Sequence, residues 1–201
     1  MDLTSSKIAT PSFRKESAER GNMPNPEPAA ADENRFSSSH VVEILREHNW
    51  HCEELSAEQL AWCERTAALL GPQAADRAAL ENLLDLIFHY DAREILASVD
   101  SHVVMSRYAA RDALRQLASL LLDPVPLSTD RFREVVDKMK SSLDIRGREL
   151  FQTLRLSLAG CSGGGELDRV VLLLDEGAAA HFASPVKTAR DRIIEFCSAM
   201  D

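Results

Sequence analysis

Three absences narrow the class of this sequence. No apolar run approaches the roughly 20 residues needed to cross a bilayer, and no basic-then-apolar segment opens the chain as a secretory leader would. The four cysteines, Cys52, Cys63, Cys161 and Cys197, are widely spaced and form no C-x-x-C pair, which points to reduced thiols rather than a disulfide framework. No stretch alternates apolar and polar residues with the period of two that a half-buried strand shows. The expectation is an all-α protein of the cytoplasm, with no membrane contact. Met1 and an ordinary Asp201 at the other end suggest a natural short protein rather than a fragment.

Metal chemistry is also thinly represented. His48-x-x-His51-Cys52, with Cys63 further on, has the letters of a zinc site, but the second close cysteine pair of a structural site is missing. Trp50 and Leu55 read instead as a packed corner. No metal and no cofactor are expected.

What is present is a 201-residue chain of ordinary globular composition, 45% hydrophobic and 27% charged, long enough for a real core. Its formal net charge of −9 opposes indiscriminate binding to a polyanion. The charge is uneven, however. Residues 41–129 hold 7 Lys/Arg against 14 Asp/Glu, whereas residues 130–201 hold 11 against 12. Within the second half, 131–155 is locally basic, with Arg131, Arg133, Lys138, Lys140, Arg146, Arg148 and Arg155. A polyanion that docks anywhere docks there.

Residues 1–39 read as a disordered tail, because three prolines between Pro24 and Pro28 forbid helix and leave little to bury. Helical periodicity then predicts a short helix over 40–48 (Val41, Ile44, Leu45) and a second opened by a Ser56/Gln59 capping box. The inner stripe of that second helix is Leu60, Cys63, Ala67 and Leu70, and Gly71-Pro72 ends it. A third follows with Leu80, Leu83, Leu84, Ile87 and Phe88. After Asp91 comes a short helix with Ile95 and Leu96, then a long one capped by Ser101 and running through Val104, Tyr108, Leu114, Leu117, Leu121 and Leu122. Asp123-Pro124-Val125-Pro126 breaks the chain and divides it into helical subdomains at 40–126 and 127–201.

Beyond the break, Thr129 or Asp130 caps a helix with Phe132, Val135, Val136, Met139 and Leu143 at one face. A turn at 144–147 leads to Leu150, Phe151, Leu154 and Leu158. Gly160 to Gly165 is a flexible connection; it has no Gly-Lys-Ser/Thr ending, and Glu166 would repel an anion there. Leu167, Val170, Val171 and Leu174 form a helix closed by Asp175-Glu176-Gly177, and a last helix near 185–199 carries Ile193, Phe196 and Cys197.

One segment resembles a known family. From Gly147 the chain reads Gly-Arg-Glu-Leu-Phe-Gln-Thr-Leu-Arg-Leu-Ser-Leu-Ala-Gly, and after the glycine-rich loop Gly-Glu-Leu leads into a leucine-rich helix. This is similar to the helical C-terminal region of glutamyl-tRNA synthetases, in one-letter code G-[KR]-x-L-F-x-P-L-R-x-A-L-T-G, then G-P-E-L. The matching residues are Gly147, Arg148, Leu150, Phe151, Leu154, Arg155, Leu158, Gly160, Glu166, Leu167, Leu173 and Leu174. Leu86 to Asp91 resembles an upstream stretch of the same region, so the likeness covers roughly 65–201. Thr153, Ala159 and Gly165 depart from the family's proline, threonine and proline, and the usual L-L-G becomes Leu173-Leu174-Asp175, at positions read as loops or turns and as possible RNA contacts.

The resemblance implies a cage of helices that receives the anticodon loop of a tRNA. Loop bases are read by stacking on aromatic or guanidinium planes and by hydrogen bonds to their edges. The residues it nominates for RNA are Arg146, Arg148, Arg155, Lys138 and Lys140, since a guanidinium both stacks and bridges phosphate. The plainer alternative has Arg155 paired with an acid such as Glu166 and the others solvated. Catalysis is not expected. The nucleotide-binding fold and its H-I-G-H-type signature are missing, and Lys138-Met139-Lys140-Ser141-Ser142 matches the second signature only inside an amphipathic helix. Two functions remain: a tRNA-binding module, working beside a protein partner such as a synthetase, or a helical protein-interaction module that has lost RNA.

Overall fold

The structure, a computed structural model, describes residues 35–143 and 147–200, all within one compact unit spanning 32–201. Among the described residues there are helices and no strand, as the missing period of two foretold. Most of the expected tail, including its prolines, lies outside the described residues. None of the described helices is long and apolar enough to cross a membrane.

The first three helices follow from their caps and stripes. Helix α1 (Ser38–Glu47) starts slightly earlier than the periodicity suggested, because the Ser37 N–H donates to His40 Nδ1 at 3.0 Å. Helix α2 (Ala57–Leu70) has its capping box: Gln59 N–H donates to Ser56 Oγ at 3.2 Å, and Ser56 N–H to Gln59 Oε1 at 2.9 Å. Its inner stripe differs from expectation. Leu60 is 44% exposed, just beyond the buried arc, and Trp62 enters the core instead. Helix α3 (Arg77–Phe88), capped by Asp76, buries all five residues assigned to its inner face.

The short helix expected after Asp91 is present, and the long one expected from Ser101 is divided. Helix α4 (Ala92–Ala97) is capped by Asp91, and α5 (Val99–Met105) by Ser98, whose Oγ accepts from Ser101 N–H. Ser101 is therefore a buried residue of the first turn, not the cap. The chain leaves the helix at Ser106 and restarts as α6 (Ala110–Leu121). Tyr108, expected on the inner stripe, stands fully in solvent, and Leu122 is 54% exposed. The break frees α5 to lie against α8 (Arg148–Ala159), while α6 packs on α8 and on α11 (Ala189–Met200).

Helix α7 (Thr129–Ser142) is capped by Ser128, one residue earlier than expected. The single helix expected over 167–174 is two short ones, α9 (Glu166–Val171) and α10 (Leu174–Ala179). Asp175, Glu176 and Gly177 do not end a helix but lie inside α10. Gly177 is needed there for close approach: a Cβ would come within 3.1 Å of Trp62 Nε1, the atom that donates to Leu173 O.

The core is continuous from end to end. Trp50 stacks on Phe88 with centroids 4.6 Å apart, and Trp62 and Phe182 meet Phe88 edge-on. Helix α11 packs against α4, α6 and α8, so helices from both sides of the Asp123–Pro126 link share it.

A candidate nucleic-acid interface on α8

Positions 148, 151, 152 and 155 fall within an arc of about 100° on a helix, because each residue turns about 100°. Arg148, Phe151, Gln152 and Arg155 thus form one stripe of α8, beside the face that buries Leu150, Leu154 and Leu158, with Gln152 itself buried. Gly160, at φ 86°, ends the helix in the left-handed region.

Phe151 is half-buried at one edge of this stripe, with two cations near its ring. Arg155 Cζ lies 5.2 Å from its ring centroid, and Lys140 Nζ, reaching over from the end of α7, lies 5.8 Å from it. Lys140 is held loosely by Asp137, one turn back, at 3.6 Å. Arg155 is held firmly: Nε and Nη2 each donate to Asp168 of α9 at 2.8 Å, and Nη1 donates to Gly163 O at 3.1 Å. The hydrogen bond to Asp168 holds the guanidinium in its charged form. The acid is Asp168, not Glu166, which instead accepts from Gly164 N–H.

Arg148 is exposed and makes no ion pair with a described residue. On the other edge of the stripe, Gln152 accepts from Arg107 Nη1 at 2.5 Å, bringing a cation from the α5–α6 junction onto α8. Nothing in the spacing announced Arg107, which is 45 residues away. Phe151 was legible only as an apolar residue; its place four before Arg155 was the available sign that the two would meet.

The remaining nominated residues do not join this group. Positions 138 and 140 are about 200° apart on a helix. Lys138 accordingly lines a different hollow, with Asp123, Arg131 and Glu134. Arg146 lies outside the described residues. Arg131 caps α6 by donating to Leu120 O and Asp123 O, and Arg133 pairs with Asp130. The stretch that is basic in sequence is therefore dispersed in space.

Other chemistry is absorbed by packing. Lys138 to Ser142 is the end of α7, where Met139 is fully buried and both serine hydroxyls donate to Lys138 O. His48 stacks on Trp50, and His51 is buried edge-on to Phe182, which makes the packed corner. Among the described residues no three His, Cys, Asp or Glu gather to hold a metal. Burial pushes the Cys63 thiol up to about 12 and also raises that of Cys161. Of the departures from the family pattern, Thr153 and Ala159 are not in loops. Both are buried inside α8, Thr153 away from the basic stripe and Ala159, four residues after Arg155, on the stripe's own side, and Gly165 precedes α9.

Comparison with known proteins gives partial likenesses. The chain is 24% identical over 126 residues to the glutamate–tRNA ligase of Bacillus subtilis (strain 168), covering 63% of this chain and 26% of the ligase. With the glutamate–tRNA ligase of Bacillus pumilus (strain SAFR-032) it is 26% identical over 128 residues, 61% of this chain and 25% of the ligase. The chain spans about a quarter of the length of the curated relatives it matches. No protein-family model matches, and no solved structure matches.

Proposed function

We propose that this chain is a tRNA-binding module, distantly related to glutamate–tRNA ligases and without an aminoacylation site of its own. The stripe on α8 receives the anticodon loop. The observation that carries this reading is the half-buried Phe151 ring with Lys140 and Arg155 close to it and Arg148, exposed and in no ion pair with a described residue, about one turn away. An aromatic face flanked by cations suits an unpaired nucleotide: the base stacks, and the phosphate meets ammonium or guanidinium. In this reading residues 127–201 carry the stripe that meets the RNA, and the module acts in the cytoplasm beside a separate synthetase.

Filter binding of tRNA at 50 and 200 mM salt tests the proposal. Two or three phosphate contacts to a single-stranded loop predict affinity falling by about sevenfold to twentyfold between those concentrations. Absence of binding at the lower salt removes the reading.

A second reading, a protein-interaction module, is favoured by one observation. Val99 and Val103, one turn apart on α5, are 77% and 55% exposed, in the acidic half of the chain. A stable protein partner recovered after nuclease treatment, with no tRNA binding, would establish it instead.

A further inference from the structure

We infer that Tyr108 is a base-stacking residue, working with Arg107 to extend the nucleic-acid interface beyond α8. The inference rests on the tRNA-binding reading above and adds a site that the resemblance does not nominate.

The two tyrosines of this chain are used in opposite ways. Tyr90 is 8% exposed, and its hydroxyl donates to Ser157 O and Arg192 O. Tyr108 exposes its whole ring and makes no hydrogen bond or ring contact with a described residue. It interrupts what the apolar periodicity would continue as one helix, and the interruption is what places it outside. Its backbone is nevertheless fixed, since Arg107 N–H donates to Val104 O and Ala110 N–H to Arg107 O. A ring with two rotatable bonds on a fixed turn loses little entropy when a ligand stacks on it.

Its neighbour supplies the second half of the site. Arg107 directs Nη1 to Gln152 Oε1 on α8, which leaves its other guanidinium donors for a phosphate. Gln152 is four residues from Arg148, so the turn joins the stripe already described. The local charge fits as well. Residues 101–111 contain His102, Arg107 and Arg111 and no acid, although the half of the chain around them is acidic. A face-exposed ring beside an oriented guanidinium, in a segment free of carboxylates, matches a single-stranded nucleotide better than an apolar protein surface.

The test uses the full chain and two fluorescent probes, bulk tRNA and a single-stranded pyrimidine RNA dodecamer, read by anisotropy. Tyr108→Ala is expected to weaken both probes about tenfold, the loss of one stacked base. The salt slope should not change, because no charge is removed. Tyr108→Phe should bind like wild type, and both variants should melt like wild type, because the ring is fully exposed and packs on no described residue. If Tyr108→Ala binds within twofold of wild type while Arg148→Ala is weakened, the inference falls and the tRNA-binding reading stands. If wild type binds neither probe, both fall. If Tyr108→Ala leaves RNA affinity intact but releases a protein partner, the surface serves protein contact and the inference is overturned.

Discussion

Helix α8 meets cations on two sides, and the two sides use them differently. At its C-terminal end Arg192 of α11 is wholly buried, and its guanidinium donates to Leu158 O at 2.8 Å, Leu86 O at 2.9 Å, Ile87 O at 2.5 Å and Lys187 O at 3.3 Å. The Tyr90 ring lies 4.6 Å from it. Leu158 is next to last in α8, and Leu86 and Ile87 close α3, so one cation satisfies carbonyls at the ends of two helices. Burial lowers its pKa to about 10, still far above neutrality, so the charge is kept. On the outer stripe Arg148 has no such partners among the described residues. Recognition needs hydrogen-bonding capacity left over after folding, and Arg192 has almost none left. Its place in the structure is that of a clasp among α3, α8 and α11.

The largest expected effect breaks that clasp. Arg192→Met should cost on the order of 3–5 kcal/mol in urea unfolding, because it strands several buried carbonyls at once. Tyr90 loses its partner ring contact in the same step. A loss under about 1 kcal/mol would mean that water or a small shift satisfies those carbonyls, and the contrast between the two sides of α8 would shrink accordingly.

Arg155 stands between the extremes, and a smaller effect sharpens where it belongs. Its side chain is 14% exposed and its bidentate partner Asp168 24%. Asp168→Asn should cost about 1 kcal/mol, the modest value of a partly solvated pair. A double-mutant cycle with Arg155→Ala should show that the two losses are not additive. If Arg155 also meets RNA, Arg155→Ala weakens tRNA binding more than Asp168→Asn does. Equal RNA affinities for both variants would leave Arg155 a structural residue alone, and Lys140 and Arg148 would carry the interface.

How much of this was legible in the sequence depends on the range of the interaction. The Ser56/Gln59 box and the stripes of α3 and α7 are local, set by spacings of three and four, and the structure keeps them. The break at Ser106 was invisible because Ser106-Arg107-Tyr108-Ala109 contains neither glycine nor proline. It forms because the Ser106 hydroxyl folds back onto Val103 O while α5 and α6 pack on different neighbours. Trp62 displaced Leu60 from the core for a similar reason: its indole N–H finds Leu173 O, 111 residues away. The partners of Arg155, Arg107 and Arg192 are equally distant choices. Sequence named arginines suited to RNA by residue type; only the fold sorted those already engaged from those left open.

The smallest effect concerns two lysines that sequence placed together. Lys138 and Lys140 share a basic stretch, but they leave α7 on different sides. Lys140 Nζ stands over Phe151, whereas Lys138 lines a hollow with Asp123 and Glu134. If binding follows overall charge alone, Lys138→Ala and Lys140→Ala weaken tRNA equally. If it follows the stripe, Lys140→Ala should cost about threefold to tenfold and reduce the salt slope by about one contact. Lys138→Ala should stay within about twofold, the residue acting only through a screened, longer-range field. Neither lysine holds the core, so both variants should unfold at the wild-type denaturant concentration, and a change in binding then reports the position of the charge.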